Sequence, residues 1–86
     1  MARIIDGEKI NIIGENLKSA RKKMKLSQKQ LVEKLEAEAV YICRGSVSRI
    51  ESGTRAITDI EIAGLSKVLE IPIEELFPKG AGYRKV

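Results

Sequence analysis

The sequence predicts an all-α fold, a compact globule of five short helices joined by brief connections. Three observations carry that expectation. Apolar residues recur at helical spacing, as in Ile13, Leu17, Ala20 and Met24. Two capping boxes, Ser27 with Gln30 and Thr58 with Glu61, mark helix starts inside the chain. Gly53 and Pro78 stand where helices would stop.

Taken in order, residues 1–10 read as an irregular N-terminal arm, or a short strand, because Asp6-Gly7 breaks the apolar pair Ile4-Ile5. A first helix is expected over about residues 11–24, with Arg21 at the edge of its apolar stripe and Lys18 and Lys22 pointing away from it. Ser27 opens a second helix that buries Leu31, Val32 and Leu35. It runs on toward Glu38, since Ala-Glu-Ala favours helix. A third helix should begin after Cys43 and end near Ser52, with Gly53 as a left-handed stop. Thr58 opens a fourth, whose Ile62, Leu65 and Leu69 face inward. A fifth short helix is expected over about residues 72–77. Pro72 would lie in its first turn, Glu74 and Glu75 would complement its dipole, and Ile73, Leu76 and Phe77 would close the core. Residues 79–86 read as a basic tail, which leaves 11–78 as the folded domain.

Composition narrows the function. The chain has 86 residues, enough for one domain with a small aliphatic core. It has one cysteine and no histidine, so neither an internal disulfide nor a metal cluster is expected. No apolar run approaches the roughly 20 residues a membrane span needs, and no secretory leader is recognisable. Acid–base catalysis lacks a histidine, Cys43 has no histidine partner, and no phosphate loop is present, so enzymatic activity and cofactors are not expected. Net charge is +4, and Lys18, Arg21, Lys22, Lys23, Lys25 and Lys29 follow one another with no acid among them. Such a cluster either neutralises phosphates or forms a solvated helix face.

The third helix carries the sharpest signal. At about 100° per residue, Ser46, Val47 and Ile50 share one side, small or apolar, that suits a core. Arg44, Gly45, Ser48 and Arg49 share the other. Arginine matches guanine O6 and N7 in the major groove, serine donates to several base edges, and glycine permits close approach. Arg44 would lie in a first turn, where a cation opposes the helix dipole at about 0.3–1 kcal/mol. An approaching phosphate would remove that conflict. Ser27 and Gln28, at the start of the second helix, lie where free amides bind anions and would set the register on a duplex.

The runs LSQKQLVEKL and RGSVSRIESG, followed by TDIEIAGLSKVLEIPIEELF, resemble the phage-repressor-like helix-turn-helix proteins, the Xre/Cro family. The resemblance spans about residues 12–77. It implies a lambda-repressor-like five-helix DNA-binding domain that acts as a homodimer on a near-palindromic double-stranded DNA operator in transcriptional control, most simply as a repressor. It also implies a cytoplasmic, nucleoid-associated protein of a prokaryote or phage. By position, Gln28 matches the family's phosphate-binding residue, and Arg44, Gly45, Ser48 and Arg49 fall at its base-reading positions. Ser52, Thr54 and Arg55 lie where the family's next loop grips the DNA backbone. Arg21 and Glu51 match a pair that forms a salt bridge, a reading also supported by the way each flanks an apolar stripe.

One departure stands out. EAEAVYIC makes the turn between the second and third helices about five residues longer than the family's usual tight turn, itself of about 3–4 residues. The extra residues either lengthen the second helix or form a protruding loop. Val40 and Ile42 should bury part of it, and Tyr41 is either exposed, within reach of DNA, or tucked in. Cys43 takes the N-cap position of the third helix. It is either a small buried residue or a thiol activated by the helix start, which would set a redox sensor beside the DNA.

A second class of function remains open on the same fold, an antitoxin or other protein-interaction module. The two arginines on the exposed face favour DNA. One such domain reads only a few base pairs, so a dimer with half-sites about 34 Å apart is expected. Residues 2–5 and 71–86 are the candidate dimer surfaces. No small-molecule effector is expected.

Overall fold

Helix starts in this chain are fixed by side chains that take up the free amides of a first turn. Helix ends are fixed by single left-handed residues. The computed structural model describes residues 9–79. Among the described residues the fold is all-α: α1 (Gly14–Lys23), α2 (Gln28–Ala37), α3 (Arg44–Ser52) and α4 (Asp59–Leu69), followed by a 3-10 turn, Ile73–Leu76, with no strand. The candidate dimer segment at 2–5 and the tail from residue 80 lie outside the described residues.

α1 begins at Gly14, three residues later than the apolar spacing suggests. The reason is Asn11, which is buried. Its Oδ1 accepts from the amides of Ile13 and Gly14, both at 3.0 Å. Its Nδ2 donates to the carbonyls of Ile50 at 3.0 Å and Arg55 at 2.8 Å. One amide side chain thus starts α1 and ties it to α3 and the loop beyond. The Ile10 amide adds a 2.8 Å bond to the Gly53 carbonyl. Gly14 lets α1 approach α3 closely, for a Cβ there would collide with the backbone oxygens of Ile50 and Glu51.

Both expected capping boxes form. Ser27 Oγ accepts from the Gln30 amide at 3.0 Å while Gln30 Oε1 accepts from the Ser27 amide at 2.8 Å. Thr58 and Glu61 do the same for α4, at 3.2 and 3.0 Å. Gly53 (φ 84°) terminates α3 as expected. The other helices end at Lys25 (φ 59°), Ala39 (φ 64°) and Glu70 (φ 58°), left-handed residues that carry a Cβ. Each such residue costs about 1–2 kcal/mol against a right-handed one, which the surrounding packing must offset.

The core is aliphatic. Ile13 and Leu17 of the α1 stripe, Leu31 and Leu35 of α2, Val47 and Ile50 of α3, and Leu65 and Leu69 of α4 meet Leu76 at the bottom of the bundle. α3 packs against both α1 and α2, and α4 packs on α2, so α3 is held from two sides.

Two expectations are corrected. The fifth element is a single 3-10 turn that starts after Pro72, not an α-helix that includes it. Pro78 lacks an amide and forces Phe77 into extended backbone (φ −96°, ψ 138°), so there is no room for an i to i+4 bond after the first turn. The Glu75 amide bonds the Pro72 carbonyl instead, at 3.0 Å. In this tighter winding Leu76 is buried and Phe77 half-buried, but Ile73 points out and is 45% exposed.

The long turn divides its extra residues. α2 continues through Ala37, and Glu38 to Cys43 make the connection. Val40 is buried, Ile42 half-buried and Tyr41 74% exposed. Val40 sits over Gly64 of α4, where a Cβ would lie 2.8 Å from Val40 Cγ2. Lys67 of α4 pairs with Glu38 at 2.9 Å. Among the described residues, no helix is long and apolar enough to cross a membrane, and no group of three or more acidic, cysteine or histidine side chains is placed to hold a metal ion.

Candidate nucleic-acid interface

α3 separates its two faces cleanly. Ser46, Val47, Ile50 and Glu51 are buried, while Arg44, Gly45, Ser48 and Arg49 are exposed. The four residues expected to read bases therefore lie together on the solvent side. The fold does not demand glycine at position 45, since a Cβ there would meet only Arg49 Nη1 at 3.5 Å and Cys43 Sγ at 3.9 Å, ordinary contacts. The surface over Gly45 is therefore open on the solvent side of α3. Arg49 Nη2 donates to Ser46 Oγ at 3.4 Å, which draws the guanidinium back toward the first turn and over Gly45.

Arg21 and Glu51 form the expected pair. Arg21 Nε donates to Glu51 Oε2 at 2.6 Å and Nη2 to Oε1 at 3.1 Å, while Nη1 donates to the Leu26 carbonyl at 2.7 Å. The side chains are 9% and 4% exposed. A bidentate guanidinium–carboxylate pair of this kind is directional as well as strong. It locks α1 to the last turn of α3. Arg21 thereby leaves the basic cluster, whose lysines 18, 22, 23, 25 and 29 are all exposed.

Ser27 and Gln28 open α2. Ser27 Oγ is an acceptor in the capping box, so its hydroxyl proton remains to be donated. The amides of the first turn point out of the helix end. Gln28 does more than the sequence suggests. Its Nε2 donates to Glu51 Oε1 at 3.1 Å, which leaves one amide proton for an outside acceptor. Glu51 therefore links the start of α2, the end of α3 and Arg21 of α1 through one carboxylate.

The loop after α3 carries the remaining expected contacts. Ser52 Oγ donates to the Arg49 carbonyl at 3.1 Å and lies 3.0 Å from Thr54 Oγ1, which reaches the same carbonyl at 3.4 Å. Both are exposed. Arg55 is engaged within the fold: Nη1 and Nη2 each donate to a Glu61 carboxylate oxygen at 3.1 Å, and Nη1 also donates to the Ala56 carbonyl. Glu61 holds the guanidinium above its ordinary pKa. Burial pushes the Glu61 carboxyl up, but the Arg55 and Thr58 hydrogen bonds outweigh it and hold the group below its usual value.

Cys43 is exposed, not the small buried residue that was one expectation. Its thiol is held below the usual range by the Ser46 hydroxyl at 3.4 Å and by the Ser46 and Gly45 amides of the helix start, with Arg49 adding to them. Asn11 and the second role of Glu61 were not expected from the sequence. Asn-Ile-Ile-Gly before an apolar stripe is a helix-start signal that would have found the first. The second needs a partner from outside its own helix.

A family profile described as Helix-turn-helix matches residues 17–76, more than half of the chain. The chain is also similar in structure to the restriction-modification controller protein C.AhdI from Aeromonas hydrophila, with 29% sequence identity. The match covers 76% of this chain and 91% of that one, at a TM-score of 0.67. No curated protein matches the sequence.

Proposed function

The chain belongs to the Xre-like helix-turn-helix family of DNA-binding transcription regulators, and from that premise we propose that it is a homodimeric repressor that lays α3 in the major groove of a near-palindromic operator. Arg44, Gly45, Ser48 and Arg49 read bases. Ser27 and Gln28 hold a phosphate at the start of α2, and Ser52 and Thr54 hold another beyond α3. Arg55 supports that second contact by fixing the loop through Glu61. The observation that carries the reading is the division of α3, with two arginines, a serine and a glycine exposed on one side and core residues on the other. Gln28 joins the anchor to the reader, because its bond to Glu51 fixes the phosphate-binding end of α2 relative to α3. Similarity to a restriction-modification controller protein supports a controlling, non-enzymatic role of the same kind here.

The test is a salt titration of binding to random-sequence duplex, with sedimentation of the free and bound protein. Neutralising six to ten phosphates gives a fall in affinity of about 10³–10⁵ between 50 and 200 mM salt. Two chains per bound duplex are expected. Affinity that does not change with salt would count against phosphate contact, and a monomer on and off DNA would remove the dimer.

A further inference from the structure

We propose that Tyr41, on the lengthened turn before the recognition helix, is a further specificity-determining residue that reads a thymine at the outer edge of each half-site. The proposal rests on the DNA-binding reading above and adds to it a contact made by residues outside the usual tight turn.

Residues 40–43 form no helix and lead into α3 through Cys43, which is extended at φ −90° and ψ 166°. Their side chains alternate: Val40 buried, Tyr41 exposed, Ile42 half-buried, Cys43 exposed. That alternation of burial puts Tyr41 with Cys43 on the solvent side of the turn. The Cys43 side is the reading side, since its Sγ lies beside the open position over Gly45. Two residues of chain separate Tyr41 from the helix cap, a span of at most about 7 Å. That is within reach of the next base pair beyond those that the first turn of α3 addresses.

The turn is held in place. The Val40 amide bonds the Leu35 carbonyl at 2.9 Å, Val40 is seated on Gly64, and Glu38 is paired with Lys67. An aromatic ring on fixed backbone has two side-chain torsions to order on binding, so its contact area carries a low entropic cost. The ring is an exposed apolar surface three residues before Arg44 in the chain. DNA fits that combination better than a protein partner does, because phosphates satisfy the arginines while the thymine methyl takes the apolar contact.

The experiment is selection from a random duplex pool with wild type, Tyr41→Ala, Tyr41→Phe and Arg49→Ala, with sedimentation and thermal melting of each. Tyr41 is 74% exposed, so Tyr41→Ala should melt with wild type. We expect it to lose preference at one outer position of each half-site, with about fivefold or more weaker binding to the wild-type consensus. The inner positions should be kept, and Tyr41→Phe should retain the thymine. An unchanged Tyr41→Ala consensus, or loss of the thymine in Tyr41→Phe, would overturn the proposal. So would a Tyr41→Ala defect in self-association in place of DNA preference, which would assign the ring to a protein contact. If Arg49→Ala also leaves the consensus unchanged, the reading face itself is wrong, and that failure is distinct from a failure of Tyr41 alone.

Discussion

Replacing Glu51 with leucine removes the acceptor of two Arg21 hydrogen bonds and one from Gln28, and leaves a guanidinium that is 9% exposed without its carboxylate. Breaking a buried ion pair from one side costs about 3–5 kcal/mol, mostly from the stranded charge. A domain of this length has a total stability of about 4–13 kcal/mol. The single change therefore removes a large part of it. At about 1 kcal/mol per molar urea for a chain this small, the unfolding midpoint should fall by about 3 M or more. Arg21→Met should do comparable damage, since it strands the carboxylate and the Leu26 carbonyl. The double variant Arg21→Met/Glu51→Leu should recover most of the loss, because it strands neither charge and fills the site with apolar volume. Urea unfolding of the four proteins at neutral pH yields the coupling directly, and we expect about 2 kcal/mol or more. If the two single losses simply add in the double variant, the pair is not the unit that locks α1 to α3.

Three further outcomes follow from other contacts. Gly64→Ala should destabilise through Val40, whose Cγ2 lies 2.8 Å from the new methyl, and Val40→Ala in the same chain should relieve part of the clash; equal unfolding midpoints for Gly64→Ala and wild type would show that the turn does not rest on α4. Glu61 is held below its unfolded pKa, so its contribution to stability is present above that value and is lost as pH falls through the folded one; Glu61→Gln should flatten stability against pH in that acid window, and an unchanged slope would contradict the Arg55 pairing. Alkylation of Cys43 should show a pH–rate midpoint below that of an ordinary thiol, and a midpoint at or above it would remove the influence of the α3 start.

What the sequence made legible was local. A capping box is written within four residues, so Ser27–Gln30 and Thr58–Glu61 could be placed without knowing the fold. The two faces of α3 followed from helical periodicity, because one side of Val47 and Ile50 had to meet the core. The Arg21–Glu51 pair was visible as two charges flanking apolar stripes. The rest depended on partners far along the chain or on broken local rules. Asn11 bonds residues 39 and 44 positions away. The end of α2 was poorly marked because Ala39 adopts the left-handed conformation where glycine would have signalled it. The division of the long turn depended on Gly64, which looks like an unremarkable helix residue until Val40 is set on it. The 3-10 turn was legible in principle, since Pro72 and Pro78 leave too few residues between them for an α-helix to propagate.

In the proposed complex the exposed side of α3 reads sequence while the start of α2 anchors the DNA backbone. The most direct measurement is the base preference selected by Arg49→Ala and by Gln28→Ala beside wild type. Arg49→Ala should relax the consensus at one position per half-site, at about 1–3 kcal/mol, and Gln28→Ala should weaken all sequences alike with the consensus intact. An Arg49→Ala consensus identical to that of wild type would contradict that reading.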